Sequence, residues 1–139
     1  PNHPFNGKGK VSGNIVGGNL SLLYALQGSK SDITTDDKIL FIEDVDEYLY
    51  HIDRMMISLK LAGKLSRIAG LIVGGMTDMR DNQVPFGKTA EEIIADAVKE
   101  YRYPVCFGFP AGHQIKNLAL IFGRKARLTV GQNTILSYF

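Results

Sequence analysis

The chain contains one cysteine, Cys106, in 139 residues. A disulfide within the chain is therefore excluded, and a reducing compartment suits the composition. No apolar run approaches the roughly 20 residues that span a bilayer, and the opening PNHPFNGKGK has no signal-peptide core. Charge of one sign never accumulates. The 16 Lys and Arg and 14 Asp and Glu leave a net charge of +2 without long blocks, which supplies no electrostatic footprint for nucleic acid or an anionic membrane. No further His or Cys stands at ligand spacing around the acidic residues, so no metal is expected.

What is present describes an ordinary globular domain, with 45% hydrophobic and 22% charged residues, long enough to enclose a core. Residues 1–10, rich in Pro, Asn, Gly and Lys, read as a linker, with further chain expected before them. KVSGNIVGGN carries a short β-prone piece, and NLSLLYALQG a helix capped by Asn19 and stopped at Gly28. KILFI reads as a strand buried on both faces. Ile52, Met55, Met56 and Leu59 recur at helical spacing between Tyr48 and Leu61, with Gly63 closing the helix. IAGLIVGG is a second buried strand, and MTDMRDNQVPFGK a long loop. Thr89 and Glu92 form a capping-box pattern at a further helix. YPVCFGFP predicts a strand, and ALIFGRKARLTV and NTILSYF predict strands separated at Gly123 and Gly131. The alternation implies an α/β domain, a mainly parallel sheet flanked by helices, with antiparallel strands near the C-terminus.

In such a sheet functional groups collect beyond the carboxyl ends of the strands. Glu43, the glycines after Val73, and His113 all follow predicted strands. His113, in GFPAGHQ, is a candidate general base, because imidazole titrates near neutrality and a partner can fix its tautomer. Glu43 follows Ile42 with no turn residue between, and is the candidate partner that would accept the imidazole N–H. Asp46 and Glu47 read as a solvated helix-start turn, and Asp44 has no assigned role. No nucleophile is identifiable. Cys106 lies in an apolar strand as an inert thiol, and Ser12, Ser21 and Ser29 lack an elbow pattern such as G-x-S-x-G. Ser21 reads as a helix-surface residue. His3 and His51 have no supporting context. The glycine-rich GNIVGGNL lacks both nucleotide fingerprints, which favours close packing over phosphate binding.

GNIVGGNLSLLYALQGS, KILFIEDVDEYLYHIDRMM, AGLIVGGM and YPVCFGFPAGHQIKN together resemble, in order and spacing, the C-terminal half of the LD-carboxypeptidases (muramoyltetrapeptide carboxypeptidases). That serine-peptidase family also includes microcin C self-immunity proteins. The resemblance runs from about Gly9 to Val130. It implies a cytoplasmic two-domain enzyme with a Ser–Glu–His triad, in which Glu43 and His113 would be the second and third members. The serine would stand in an N-terminal domain absent here, so residues 11–139 would form the C-terminal domain and be inactive alone. The implied substrate is a muropeptide tetrapeptide losing its terminal D-alanine in peptidoglycan recycling, with no cofactor and with homodimers common. His51 departs from the basic residue often found before I-D-R in the family. Asp53 and Arg54 admit an ion-pair role or a substrate role. A microcin-immunity-type hydrolase and a non-catalytic module binding an anion at Gly17-Gly18-Asn19 are the rival readings.

Overall fold

The computed structural model describes residues 2–139. Four strands run parallel in chain order: β1 (Gly9–Asn19), β2 (Ile39–Val45), β3 (Gly70–Thr77) and β4 (Val105–Cys106). Helices α1 (Leu20–Ala25), α2 (Leu49–Leu61) and α3 (Ala90–Val98) connect them. Strands β5 (Lys125–Val130) and β6 (Thr134–Tyr138) extend the sheet beyond β1 as antiparallel neighbours, giving the order β4-β3-β2-β1-β5-β6. The expected α/β architecture, including its antiparallel C-terminal strands, is the one observed.

β2 shows why the apolar runs are continuous. Leu40 and Ile42 face the helices, packing with Ile52, Met55, Met56 and Leu59 of α2 and Ile93 and Ile94 of α3. Ile39 and Phe41 face the other way, with Ile15, Ile72, Cys106 and, from β5, Ala126, Leu128 and Val130. Strand side chains alternate between faces, and here both faces are covered. Burying each large apolar side chain contributes roughly 1.5–3 kcal/mol. Four in succession can carry two following carboxylates into the sheet, where each ion costs several kcal/mol.

The helix signals are realised. Asn19 caps α1 by accepting from Leu22 N, and Thr89 with Glu92 makes a complete capping box on α3. Gly63 adopts φ 74° after α2, and Lys64 N donates back to Leu59 O.

Three expectations are corrected. Residues 2–8 are packed against the sheet, not free as a linker: Gly7 bridges to Val105, the Asn6 side chain accepts from Phe107 N, and His3 stacks on Phe107. β4 comprises only Val105 and Cys106; beyond it Gly108, at φ 63°, turns the chain away from the ladder. Residues 119–124 are not themselves strand, since Gly123 at φ 77° makes the turn into β5.

Candidate functional site

The carboxyl ends of all four parallel strands lie at one edge, and each delivers a polar group. β1 ends at Asn19, β2 at Glu43 and Asp44, β3 at Thr77, and the chain after β4 turns into His113. Asn19 pairs in register with Glu43 across β1 and β2.

Alternation sends the two acids of β2 to opposite faces. Glu43 shares the face of Phe41 and reaches His113. Its Oε2 accepts from His113 Nδ1 at 2.8 Å and from His113 N at 3.1 Å. Only 5% of Glu43 is exposed, whereas the His113 side chain is 58% exposed. An ionised carboxylate can only accept, so its contact with Nδ1 fixes the proton there and leaves the Nε2 lone pair free. The hydrogen bond to Glu43, reinforced by its charge, holds the imidazole above its ordinary pKa, with a smaller push from Asp44.

The backbone is shaped for this contact. Gly112 has φ 101°, and a Cβ there would lie 2.8 Å from Glu43 Cβ, Cγ and Oε2. Only glycine fits both the left-handed backbone and the space. The 109–114 turn is tied to β3 by Phe109 N to Val73 O and Gly75 N to Ala111 O, both 3.0 Å. Thr77 Oγ1 donates to His113 O at 2.5 Å, and Gln114 Nε2 donates to the carbonyls of Phe109 and Ala111. At Gly17 a Cβ would stand 2.0 Å from Phe41 O, so that part of the glycine-rich stretch serves close strand packing.

Asp44 points to the helix face and is the residue that sequence reasoning left without a role. It is 2% exposed. Its carboxylate accepts from Asn19 Nδ2 (2.9 Å), Ser21 N (2.9 Å) and Ser21 Oγ (2.7 Å), pinning the start of α1 to the end of β2. Ser21 is thus a half-buried link and not a plain helix-surface residue. Its Oγ also lies 2.9 Å from Glu47 Oε1, while Glu47 Oε2 meets His51 Nδ1 at 2.8 Å. Asp46, exposed as expected, and half-buried Glu47 stand in the turn before α2, and neither caps the helix. Asp46, at φ 60°, is held by Arg80 through contacts of 2.5 and 2.6 Å, and α2 starts with no acid in its first turn. Arg54 lies over the Tyr50 ring, 5.4 Å from its centroid, and no ion pair forms between Asp53 and Arg54. The one sequence signal for the Asp44 network was the N-cap position of Asn19.

Cys106 is fully buried, and burial raises its thiol pKa, which suits an inert residue. Among the described residues no group of three or more His, Cys, Asp or Glu is placed to hold a metal ion, and no helix is long and apolar enough to cross a membrane.

Residues 12–128 match the LD-carboxypeptidase C-terminal domain family. A protein of Bacillus subtilis named "Probable murein peptide carboxypeptidase" is 37% identical over 126 residues, covering 91% of this chain and 40% of its own length. The microcin C7 self-immunity protein of Escherichia coli is 30% identical over 138 residues, covering 96% and 39% respectively. The crystal structure of muramoyltetrapeptide carboxypeptidase from Oxalobacter formigenes superposes with a TM-score of 0.82 at 26% identity, over 93% of this chain and 45% of that one. The chain thus spans about 40% of the length of these curated relatives. With the family matched over most of its length and the fold shared, this chain belongs to the LD-carboxypeptidase family, as its C-terminal domain.

Proposed function

We propose that this domain supplies the carboxylate and the histidine of a Ser–Glu–His triad, in a peptidase that removes the terminal D-alanine from muropeptide tetrapeptides. The observation that carries the reading is the 2.8 Å contact between buried Glu43 and exposed His113. In this reading Nε2 of His113 takes the proton of a serine hydroxyl as its oxygen attacks the carbonyl before D-alanine. Glu43 stabilises the imidazolium that results. The same nitrogen returns the proton to the departing amine of D-alanine. Water then enters by the reverse path and frees the shortened peptide from the serine.

The serine belongs to a domain outside these residues. Ser21 makes its hydroxyl contacts with Asp44 and Glu47, and no histidine nitrogen is in hydrogen-bond contact with its Oγ. The 139-residue chain by itself is therefore inactive. A cytoplasmic setting follows from the recycled substrate. Hydrolysis of an acyl-adenylate-like conjugate is the second reading, favoured by the similarity to the microcin C7 self-immunity protein. Anion binding at Gly17-Gly18-Asn19 is disfavoured, because the Asn19 amide is already committed to a carboxylate.

The reading is tested by incubating a muropeptide tetrapeptide with the full-length protein and with the 139-residue chain, and assaying D-alanine. Release by the full-length protein alone is expected. No release by either, with conversion of an aminoacyl-adenylate analogue by the full-length protein, would replace this reading with the second.

A further inference from the structure

His113 stands on a turn whose backbone has little stiffness of its own. Residues 107–114 belong to no helix or strand, and Gly108 and Gly112 adopt φ of 63° and 101°. Glycine allows such a path but does not hold it. A general base needs the opposite, because a misplacement of about 1 Å can cost roughly a hundredfold in rate.

Gln114, the next residue, supplies the restraint. Its half-buried side chain folds back along the turn. Nε2 donates to Phe109 O at 2.8 Å and to Ala111 O at 2.9 Å, so both amide hydrogens are spent on carbonyls that precede the histidine. Gln114 N adds a bond to Gly112 O at 2.9 Å. Ala111 O also accepts from Gly75 N at 3.0 Å, which joins the clamp to the end of β3. The glycines after Val73 find their use here. A Cβ on Gly74 would stand 2.5 Å from Ala111 O, and one on Gly75 would touch Gln114 Cδ at 3.4 Å.

We infer that Gln114 is a positioning residue for His113: its carboxamide clamps the carbonyls of Phe109 and Ala111 and thereby sets the imidazole on Glu43. The inference rests on the reading of His113 as the general base. Gln114 is neutral, and its amide bonds go to the backbone and not to the ring. The charges that act on the imidazole are Glu43 and, more weakly, Asp44, both of β2. Loss of the clamp can therefore change the titration of His113 only by moving the ring.

The test is Gln114→Met in the full-length protein, read by NMR titration of His113 and by the pH dependence of D-alanine release from a muropeptide tetrapeptide. Methionine keeps the length and bulk of the side chain beside Gly75 and removes both donors. The His113 pKa should fall toward the ordinary histidine value, and the acidic limb of the kcat/KM profile should move to lower pH with it. kcat should fall about tenfold to a hundredfold, with KM within about twofold of the parent. Gln114→Ala, which also loses the packing, should shift the titration in the same direction. A residue that only stabilised the turn would lower Tm and leave the His113 titration where it is. A His113 pKa equal to or above the parent's in folded Gln114→Met would overturn the inference, whatever kcat does. The NMR titration needs no turnover: a lowered pKa in a protein that releases no D-alanine would support the clamp while refuting the peptidase reading.

Discussion

Glu43 and Asp44 are neighbours with unlike tasks, separated by the two-residue period of a strand. Glu43 turns to the His113 side, and Asp44 to the helices. The β2–β3 register shifts between Ile42 and Asp44, so the strand is irregular where it delivers them. Because folded His113 has a raised pKa, its pairing stabilises the fold fully below the unfolded histidine value of about 6.5. That stabilisation is lost as pH rises through the folded value. The Tm deficit of His113→Ala in the 139-residue chain should accordingly be larger at about pH 6 than at about pH 9; an equal deficit at both would show that the pair does not form. Gly112→Ala should destabilise the chain by more than about 1 kcal/mol, in urea unfolding, and should weaken the Glu43–His113 contact, since the added carbon meets the carboxylate side chain. An NMR titration of His113 in that variant should show its pKa falling toward the ordinary value.

At the scale of elements, the join between β2 and α1 depends on one buried anion. Asp44→Ala strands the Asn19 amide and the Ser21 N–H, leaving the Ser21 hydroxyl only Glu47, and should cost about 2–3 kcal/mol in urea unfolding. Thr89→Ala, which removes the α3 cap, should cost about 1 kcal/mol. A larger loss for Thr89→Ala than for Asp44→Ala would contradict the burial of Asp44. Elements whose signals are local were legible in the sequence: KILFI by its unbroken apolar run, α2 by the spacing of Ile52, Met55, Met56 and Leu59, and α3 by Thr89 and Glu92. Glu43 and His113 were legible as strand-end residues and as candidate partners, and the family resemblance implied a triad for them. The rest depended on distant partners. Asp44 meets Ser21 across 23 positions, and no local pattern announces that. The run Leu118–Phe122 has the composition of a strand, but Pro110 O and the Tyr138 hydroxyl take its backbone donors and hold it outside the ladder.

For the whole molecule, the fold provides a rigid edge with a carboxylate–histidine pair on it and an apolar rim beside it. The parallel strands fix where Glu43 stands, and the 109–114 turn, laced to β3, fixes His113 over it. The free Nε2 of the imidazole lies at this edge, as do half-exposed Leu118 and Phe122, which line a cavity with Glu43. The central claim is that Glu43 and His113 act together on a serine outside these residues. It is tested most directly by D-alanine release from a muropeptide tetrapeptide by the full-length protein and by its Glu43→Gln and His113→Ala variants. Each variant should lose about three to four orders of magnitude in kcat, with the double variant little worse than either single one and with each variant still folded by circular dichroism. Turnover within tenfold of the parent in either folded variant would contradict the account.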